Sequence, residues 1–285
     1  MKIIFEHWQI AYKKVNEEKF KLLKNPSWGW CADPFLVKYK GDIYIFAEIF
    51  LYKSERNGVI AYCKYNGSDF SEWTVCMDKH WHLSYPNVFV VDDELYMCPE
   101  SHQREDVSIY RLVEFPNRWE RVDIIFDNVQ YVDTTFLEYS GRKYLFTFEP
   151  SFKNNGGTLF YYEKEGNRYI NKTKITENKL CARPAGNFFY NQAGQLIRVG
   201  QKSENSYGEG IAFLKVESVY PTYKERLHKM ISVEDIQIDG NEKFCGIHTY
   251  NQLDDFQVID LKRREICFGE CISRKRIRKV FVNKY

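Results

Sequence analysis

One short pattern recurs four times along the chain and limits its fold more than any other feature. The copies begin Asp33-Pro34-Phe35-Leu36-Val37, Tyr85-Pro86-Asn87-Val88-Phe89, Asp133-Thr134-Thr135-Phe136-Leu137 and Arg183-Pro184-Ala185-Gly186-Asn187. Each continues through a turn, at Lys40-Gly41-Asp42, Asp92-Asp93-Glu94, Ser140-Gly141-Arg142 and Ala193-Gly194, into a second apolar run. Those second runs end at Glu48, Glu100, Glu149 and Gln201. Two apolar runs around a Gly- or Asp-containing turn read as a β-hairpin. A spacing of roughly 50 residues between hairpins is the period of a β-propeller blade.

The expected fold is therefore all-β, a five-bladed β-propeller forming one domain over residues 1–285. The blades fall at about 28–77, 82–126, 131–176, 182–233 and 246–268, the last completed by residues 3–13. That N-terminal run reads as a strand without a hairpin partner nearby. Placed in the fifth blade it closes the ring and removes the open edge between first and last blades. Lys13 to Asn25 is charged and reads as a helix turn or a loop. An aromatic content of 17% favours sheet over helix. Trp73 and Trp119 occupy equivalent outer places in blades one and two, which points to packing between blades.

A formal net charge of +2 gives no global field for nucleic acid. The eight cysteines form no C-x-x-C pair and lack zinc-site spacing, and several sit among apolar neighbours, where a free thiol behaves as a small hydrophobe. The N-terminus shows no apolar h-region, and no run approaches the ~18 apolar residues of a membrane span. A reducing cytoplasmic setting is expected. The basic tail at 272–285 carries Arg274, Lys275, Arg276, Arg278, Lys279 and Lys284 without an acid. It reads as a solvated segment, or as a peripheral contact with the anionic inner face of a membrane.

In a propeller the innermost strands start around one mouth of the axial channel. Asp33, Tyr85, Asp133 and Arg183, with His248 as the fifth, should therefore converge there. Two carboxylates across a pocket, Asp33 and Asp133, suit glycoside chemistry; the plain alternative is that each caps its strand start. Glu48 and Glu100 close second strands, which a hairpin carries away from the mouth, so they are expected deeper or at the opposite face. Glu100, flanked by Pro99 and Ser101, reads as the more functional of the two. His82, Tyr85 and Trp30 complete the expected substrate-binding set with Arg183, His248 and Glu48. No spacing of His, Cys or carboxylates forms a compelling metal site, His80 and His82 included. Tyr207-Gly208-Glu209-Gly210 lacks Walker or dinucleotide spacing and reads as a tight turn, so no cofactor is expected.

Ala32-Asp33-Pro34-Phe35, His82-Leu83-Ser84-Tyr85-Pro86, Pro99-Glu100-Ser101, Val132-Asp133 and Arg183-Pro184-Ala185-Gly186 together resemble the N-terminal propeller domain of glucosamine inositolphosphorylceramide transferases and its stand-alone bacterial relatives. The segment Gly200-Gln201 to Tyr207-Gly208-Glu209-Gly210 is similar as well. More distantly the layout resembles the propellers of glycoside hydrolase family 43. That resemblance implies a blade-one Asp as base, matched by Asp33, and a later Asp that tunes pKa, matched by Asp133. It also implies a Glu acid on the next blade, where this chain carries Arg183.

Arginine cannot donate a proton at neutral pH. It can, however, hold a departing phosphate, which needs no proton. The expected function is therefore a glycosyltransferase of surface-polysaccharide or glycolipid assembly. Its partners would be a nucleotide- or lipid-phosphate sugar donor and a glycan or lipid-linked acceptor. Two rivals stay open: a glycoside hydrolase using Glu100 as acid, and a non-catalytic glycan-binding propeller.

Overall fold

The computed structural model describes residues 3–52, 58–151 and 156–267. Five four-stranded antiparallel sheets form the five blades. Blade one comprises Gly29–Tyr39, Asp42–Leu51, Gly58–Lys64 and Thr74–Met77. Blade two comprises Ser84–Val91, Glu94–Glu100, Asp106–Glu114 and Arg118–Asp127. Blade three comprises Val132–Tyr139, Arg142–Ser151, Gly156–Glu165 and Arg168–Thr176. Blade four comprises Phe189–Tyr190, Leu196–Lys202, Gly210–Ser218 and Lys224–Ile231.

Blade five joins the two ends of the chain. Its strands run in the order Gly246–Leu253, Phe256–Cys267, Ile3–Lys14 and Lys21–Leu22. The N-terminal strand pairs with the last one continuously from Ile3↔Cys267 to Lys14↔Phe256, so the ring closes as expected. The segment expected as a helix turn or loop instead contributes the short outer strand Lys21–Leu22. There the Phe20 N–H donates to Gln237 O at 2.8 Å, and Phe20 O accepts the Asp239 N–H at 2.8 Å. Pairing with a distant segment outweighed the helix propensity of the charged stretch.

The turns carry the local logic of the repeat. Lys40 and Gly41 have φ of 50° and 86°, Asp92 and Asp93 49° and 61°, Ser140 and Gly141 52° and 74°. Two successive positive φ values make the type I′ hairpin turn, whose twist matches that of the strands.

Apolar clusters fill the seams between blades. Ile10, Tyr12 and Val258 of blade five meet Leu36, Ile45 and Ala47 of blade one, with Trp73 packed against them. Phe46 of blade one meets Leu83, Tyr85, Met97 and Trp119 at blade two, Trp119 standing edge-on to Phe46 at 6.1 Å. Both tryptophans thus pack between blades. Similar clusters join blades two and three, three and four, and four and five. Each large side chain so buried contributes about 1.5–3 kcal/mol, which makes the seams the main source of ring stability. Cys31, Cys63, Cys76, Cys98 and Cys181 are buried free thiols, raised in pKa chiefly by burial.

Among the described residues no helix is long and apolar enough to cross a membrane. The basic tail at 272–285 lies outside the described residues.

Candidate functional site

In blades one, two, three and five the slot is a β-bulge, whereas in blade four it precedes the strand Phe189–Tyr190 and makes only the isolated bridge Pro184↔Gly200. Pairing of first and second strands skips between Ala32 and Phe35, Ser84 and Asn87, Val132 and Thr135, and Ile247 and Tyr250. Within it Asp33, Tyr85 and Asp133 have φ of 51°, 41° and 52°. Left-handed backbone at non-glycine residues costs on the order of 1–3 kcal/mol and persists only where surrounding bonds over-determine it.

Those bonds run from blade to blade. Asp260 Oδ2 accepts the Asp33 N–H at 3.0 Å, and Asp33 Oδ2 accepts the Tyr85 N–H at 3.2 Å. Tyr85 Oη accepts the Gly186 N–H at 2.8 Å and lies 2.9 Å from Thr135 Oγ1. Asn251 donates to Pro34 O at 2.7 Å and accepts the Asn187 N–H at 2.7 Å. The hub is thus stitched by polar groups that freed bulge amides require.

The five expected slot residues meet there. His248 Nε2 lies 3.1 Å from Asp33 Oδ1, and its Nδ1 lies 2.9 Å from Asp260 Oδ2. Thr249 Oγ1 donates to Asp33 Oδ1 at 2.9 Å. Arg183 donates to Asp133 through Nε at 2.5 Å and Nη2 at 3.4 Å, while Gln201 Nε2 donates to Asp133 Oδ2 at 3.1 Å. Asp33, Asp133, His248 and Asp260 form a buried floor. Arg183, with 29% of its side chain exposed, and His82, with 21%, are more exposed than that floor. Tyr207 stands beside them, its ring 5.4 Å from the Arg183 guanidinium carbon.

Glu48 and Glu100 stand at the site, against the expectation that hairpins carry them away. The last residues of a second strand pair with the first residues of the strand before it. Glu48 accordingly faces Ala32 and Glu100 faces Ser84. Glu48 Oε1 is 3.7 Å from His82 Nε2, and Glu100 Oε2 is 3.9 Å from Arg183 Nη2. Trp30 stacks on Phe50 at 4.9 Å and packs with Trp8, one layer behind the floor, since Trp8 itself touches His248 at 4.1 Å.

Electrostatics pushes the acids of the site in opposite directions. Burial alone would raise Asp33, but the His248 imidazolium, the Thr249 hydroxyl and the charge of Arg183 hold it below the usual carboxylate range. Burial opposes the charge on His248, yet Asp260 and Asp33 lift its pKa to about 10. Burial and the charge of Asp33 push Glu48 well up. Burial, the charge of Asp133 and a hydrogen bond with it do the same to Glu100. Burial lowers His82 to about 4. Burial and neighbouring charge thus favour the ionised form of Asp33 and of His248, and the neutral form of Glu48 and Glu100.

The ligand atoms of Asp33, His248 and Asp260 lie within 4.8 Å of one another, a grouping able to receive one cation. Without a metal the two carboxylates favour an imidazolium there, raising His248 to about 10; a metal bound in the grouping would take the place of a ring proton.

Asp260, Tyr207, Trp8 and Gln201 belong to the site without having been expected there. A lone acid inside the apolar run Val258-Ile259-Asp260-Leu261 was a readable signal, because a buried carboxylate needs a partner. Tyr207 precedes Gly208, whose φ is 71° and where a Cβ would lie 2.4 Å from Trp8. That glycine lets the Tyr207 loop close onto blade five.

The family model described as "Glucosamine inositolphosphorylceramide transferase 1, N-terminal" matches residues 7–262. The chain is 31% identical over 222 residues to glucosamine inositolphosphorylceramide transferase 1 of Arabidopsis thaliana, covering 74% of this chain and 28% of that protein. The protein of the same name in Oryza sativa subsp. japonica is 24% identical over 236 residues, covering 80% of this chain and 31% of the relative. The chain therefore spans less than a third of these curated relatives. Among solved structures, an α-L-arabinofuranosidase of Podospora anserina in complex with cellotriose superposes with a TM-score of 0.63 at 12% identity, covering 86% of this chain and 82% of that one. The catalytic domain of a Coprinopsis cinerea α-L-arabinofuranosidase gives 0.62 at 10% identity, covering 89% and 97%. At such identities the likeness is one of fold.

Proposed function

The chain belongs to the family of the N-terminal region of glucosamine inositolphosphorylceramide transferase 1, and from that premise we propose that it is a glycosyltransferase of glycolipid or surface-polysaccharide assembly. It moves a sugar from a phosphate-activated donor to a glycan or lipid-linked hydroxyl in the propeller mouth. Asp33 acts as base toward the acceptor, or as nucleophile if configuration is retained. Arg183 holds the departing phosphate.

The observation that carries this reading is how Arg183 is held. Asp133 occupies its Nε and Nη2, and Nη1 has no hydrogen-bond partner among the described residues. A guanidinium fixed along one edge, with 29% of its side chain exposed, is a preorganised site for an anion. At formal charges, Asp33, Asp133 and Asp260 exceed Arg183 and His248 by three to two. That excess suits the positive charge developing on a sugar ring in an oxocarbenium-like transition state. Activated donors are made in the cytoplasm, the compartment this reading requires, with a membrane-borne acceptor at its inner face.

A second reading, glycoside hydrolysis, is favoured by the raised pKa of Glu100, which could supply the proton that an alkoxide leaving group needs. Nucleotide sugars offered with hydroxyl acceptors, beside aryl glycosides in water, separate the two. Transfer is expected, with Arg183→Ala weakening donor binding at least about tenfold more than acceptor binding. Unchanged donor affinity in that variant sinks the phosphate assignment. Release of free sugar from an aryl glycoside, abolished by Glu100→Gln, establishes the hydrolase instead. Sugar binding without turnover under either condition identifies a glycan-binding module.

A further inference from the structure

We propose that Asp260 is the positioning residue of this site, clamping His248 against Asp33 and so fixing the direction in which the Asp33 carboxylate meets substrate. Its effect on turnover rests on the role given to Asp33 above; its hold on His248 does not.

Asp260 is fully buried on the second strand of blade five. Its Oδ1 accepts the His248 N–H at 3.1 Å and the Thr249 N–H at 2.9 Å. Its Oδ2 accepts the Asp33 N–H at 3.0 Å and lies at ion-pair distance, 2.9 Å, from His248 Nδ1, without the alignment of a hydrogen bond. One carboxylate therefore holds three backbone amides by hydrogen bonds and one imidazole by charge, joining blade five to blade one. It also supports the left-handed conformation of Asp33, which no preference of an aspartate would sustain alone.

The groups around His248 leave this duty to Asp260. Asp33 faces the other ring nitrogen. Glu48 interacts with it from the second strand of blade one. The rings of Trp8 and Tyr207 cover its faces at 4.1 and 5.0 Å, with Lys262 on the far side of Trp8. Asp260 is the carboxylate at ion-pair distance from Nδ1. An asparagine at 260 would keep one acceptor oxygen but turn an NH2 group either toward both Asp33 N–H and His248 Nδ1 or, flipped, toward the His248 and Thr249 N–H groups. The isosteric change thus opposes donor to donor.

The test uses the full chain with 15N-labelled histidine. In the unsubstituted protein both His248 ring N–H protons should appear as slowly exchanging downfield resonances. Asp260→Asn should lose the Nδ1–H resonance while the melt stays cooperative. With a donor that turns over, kcat should fall by about 100-fold and KM by no more than about threefold, as when a buried carboxylate no longer orients an imidazole. His248→Asn should cost a similar factor, and the double variant no more than the worse single one.

A folded Asp260→Asn protein that keeps both resonances, or whose kcat stays within about threefold, overturns the proposal. Should Asp260→Asn fail to fold, His248→Asn decides, since it leaves Asp260 its three backbone donors; unchanged kcat there also overturns it. If no donor is turned over, the transferase reading fails, while the resonances still decide the clamp.

Discussion

Arg183 and Asp133 lie fifty positions apart in sequence and meet across the hub, Nε to Oδ2 at 2.5 Å and Nη2 to Oδ1 at 3.4 Å. They occupy the same place in consecutive repeats. The ring brings the pair together, and local sequence does not. Glu100 lies beside both, hydrogen-bonded to Asp133 and 3.9 Å from the guanidinium.

Removing the cation should therefore cost more than a surface ion pair would. Arg183→Ala leaves Asp133 buried without its counter-charge and is expected to lose on the order of 3 kcal/mol in urea unfolding. Arg183→Lys should recover only part of that, because an ammonium cannot reproduce the two-point contact. A midpoint unchanged by Arg183→Ala would show that Asp133 does not depend on it.

Tyr85→Phe removes the hydroxyl that accepts the Gly186 N–H and contacts Thr135. The ring stays, packed edge-on to Phe35 at 4.7 Å, so the loss isolates the polar contact. A buried amide left without a partner costs about 1–3 kcal/mol. The midpoint should fall accordingly, with the far-ultraviolet spectrum unchanged; no shift would mean that another acceptor takes over.

Gly208→Ala places a methyl 2.4 Å from the Trp8 ring at a φ of 71°. Both clash and backbone oppose it, and about 1–3 kcal/mol of destabilisation is expected. Trp8 fluorescence should shift with it, since that ring lies 5.9 Å from Tyr207 and 4.1 Å from His248. An unchanged emission maximum would show that the loop yields instead of the ring.

The histidines should bound stability from opposite sides. His248 is raised from 6.5 to about 10, so its contribution is complete below 6.5 and is lost as pH rises through about 10. His82 is lowered from 6.5 to about 4, so its contribution is present above 6.5 and is lost as pH falls toward 4. Asp33, held below 3.8, adds a further loss under more acidic conditions. Tm measured against pH should show a weaker alkaline decline in His248→Asn and a weaker decline from 6.5 to 4 in His82→Asn. Parallel curves for variant and unsubstituted protein would refute the assignment.

Deleting Ile3–Lys14 removes the strand that pairs with Phe256–Cys267 along its whole length. It also takes Ile10, Ala11 and Tyr12 from two seams. The shortened chain is expected to expose paired-strand edges and aggregate. The separate peptide, added back during refolding, should restore soluble protein; a soluble, cooperatively melting truncation would disprove the role given to closure.

The sequence alone settled what short-range chemistry settles. Alternating apolar runs, turns such as Lys40-Gly41 and Asp92-Asp93, and the recurrent slot before Pro34, Pro86, Thr134 and Pro184 act within a few residues, so hairpins, blades and the hub set of Asp33, Tyr85, Asp133, Arg183 and His248 could be read directly. Even the N-terminal strand was legible, because an apolar run without a neighbour must find a distant edge. Only the tertiary structure decided how those groups are used. The placement of Glu48 and Glu100 beside the first strands depends on hairpin register at the bulge. The roles of Asp260, Tyr207 and Trp8 depend on blade five pressing against blade one. Pairings of that kind exist only after the ring closes, and a lone acid in an apolar strand does not name the partner it will meet.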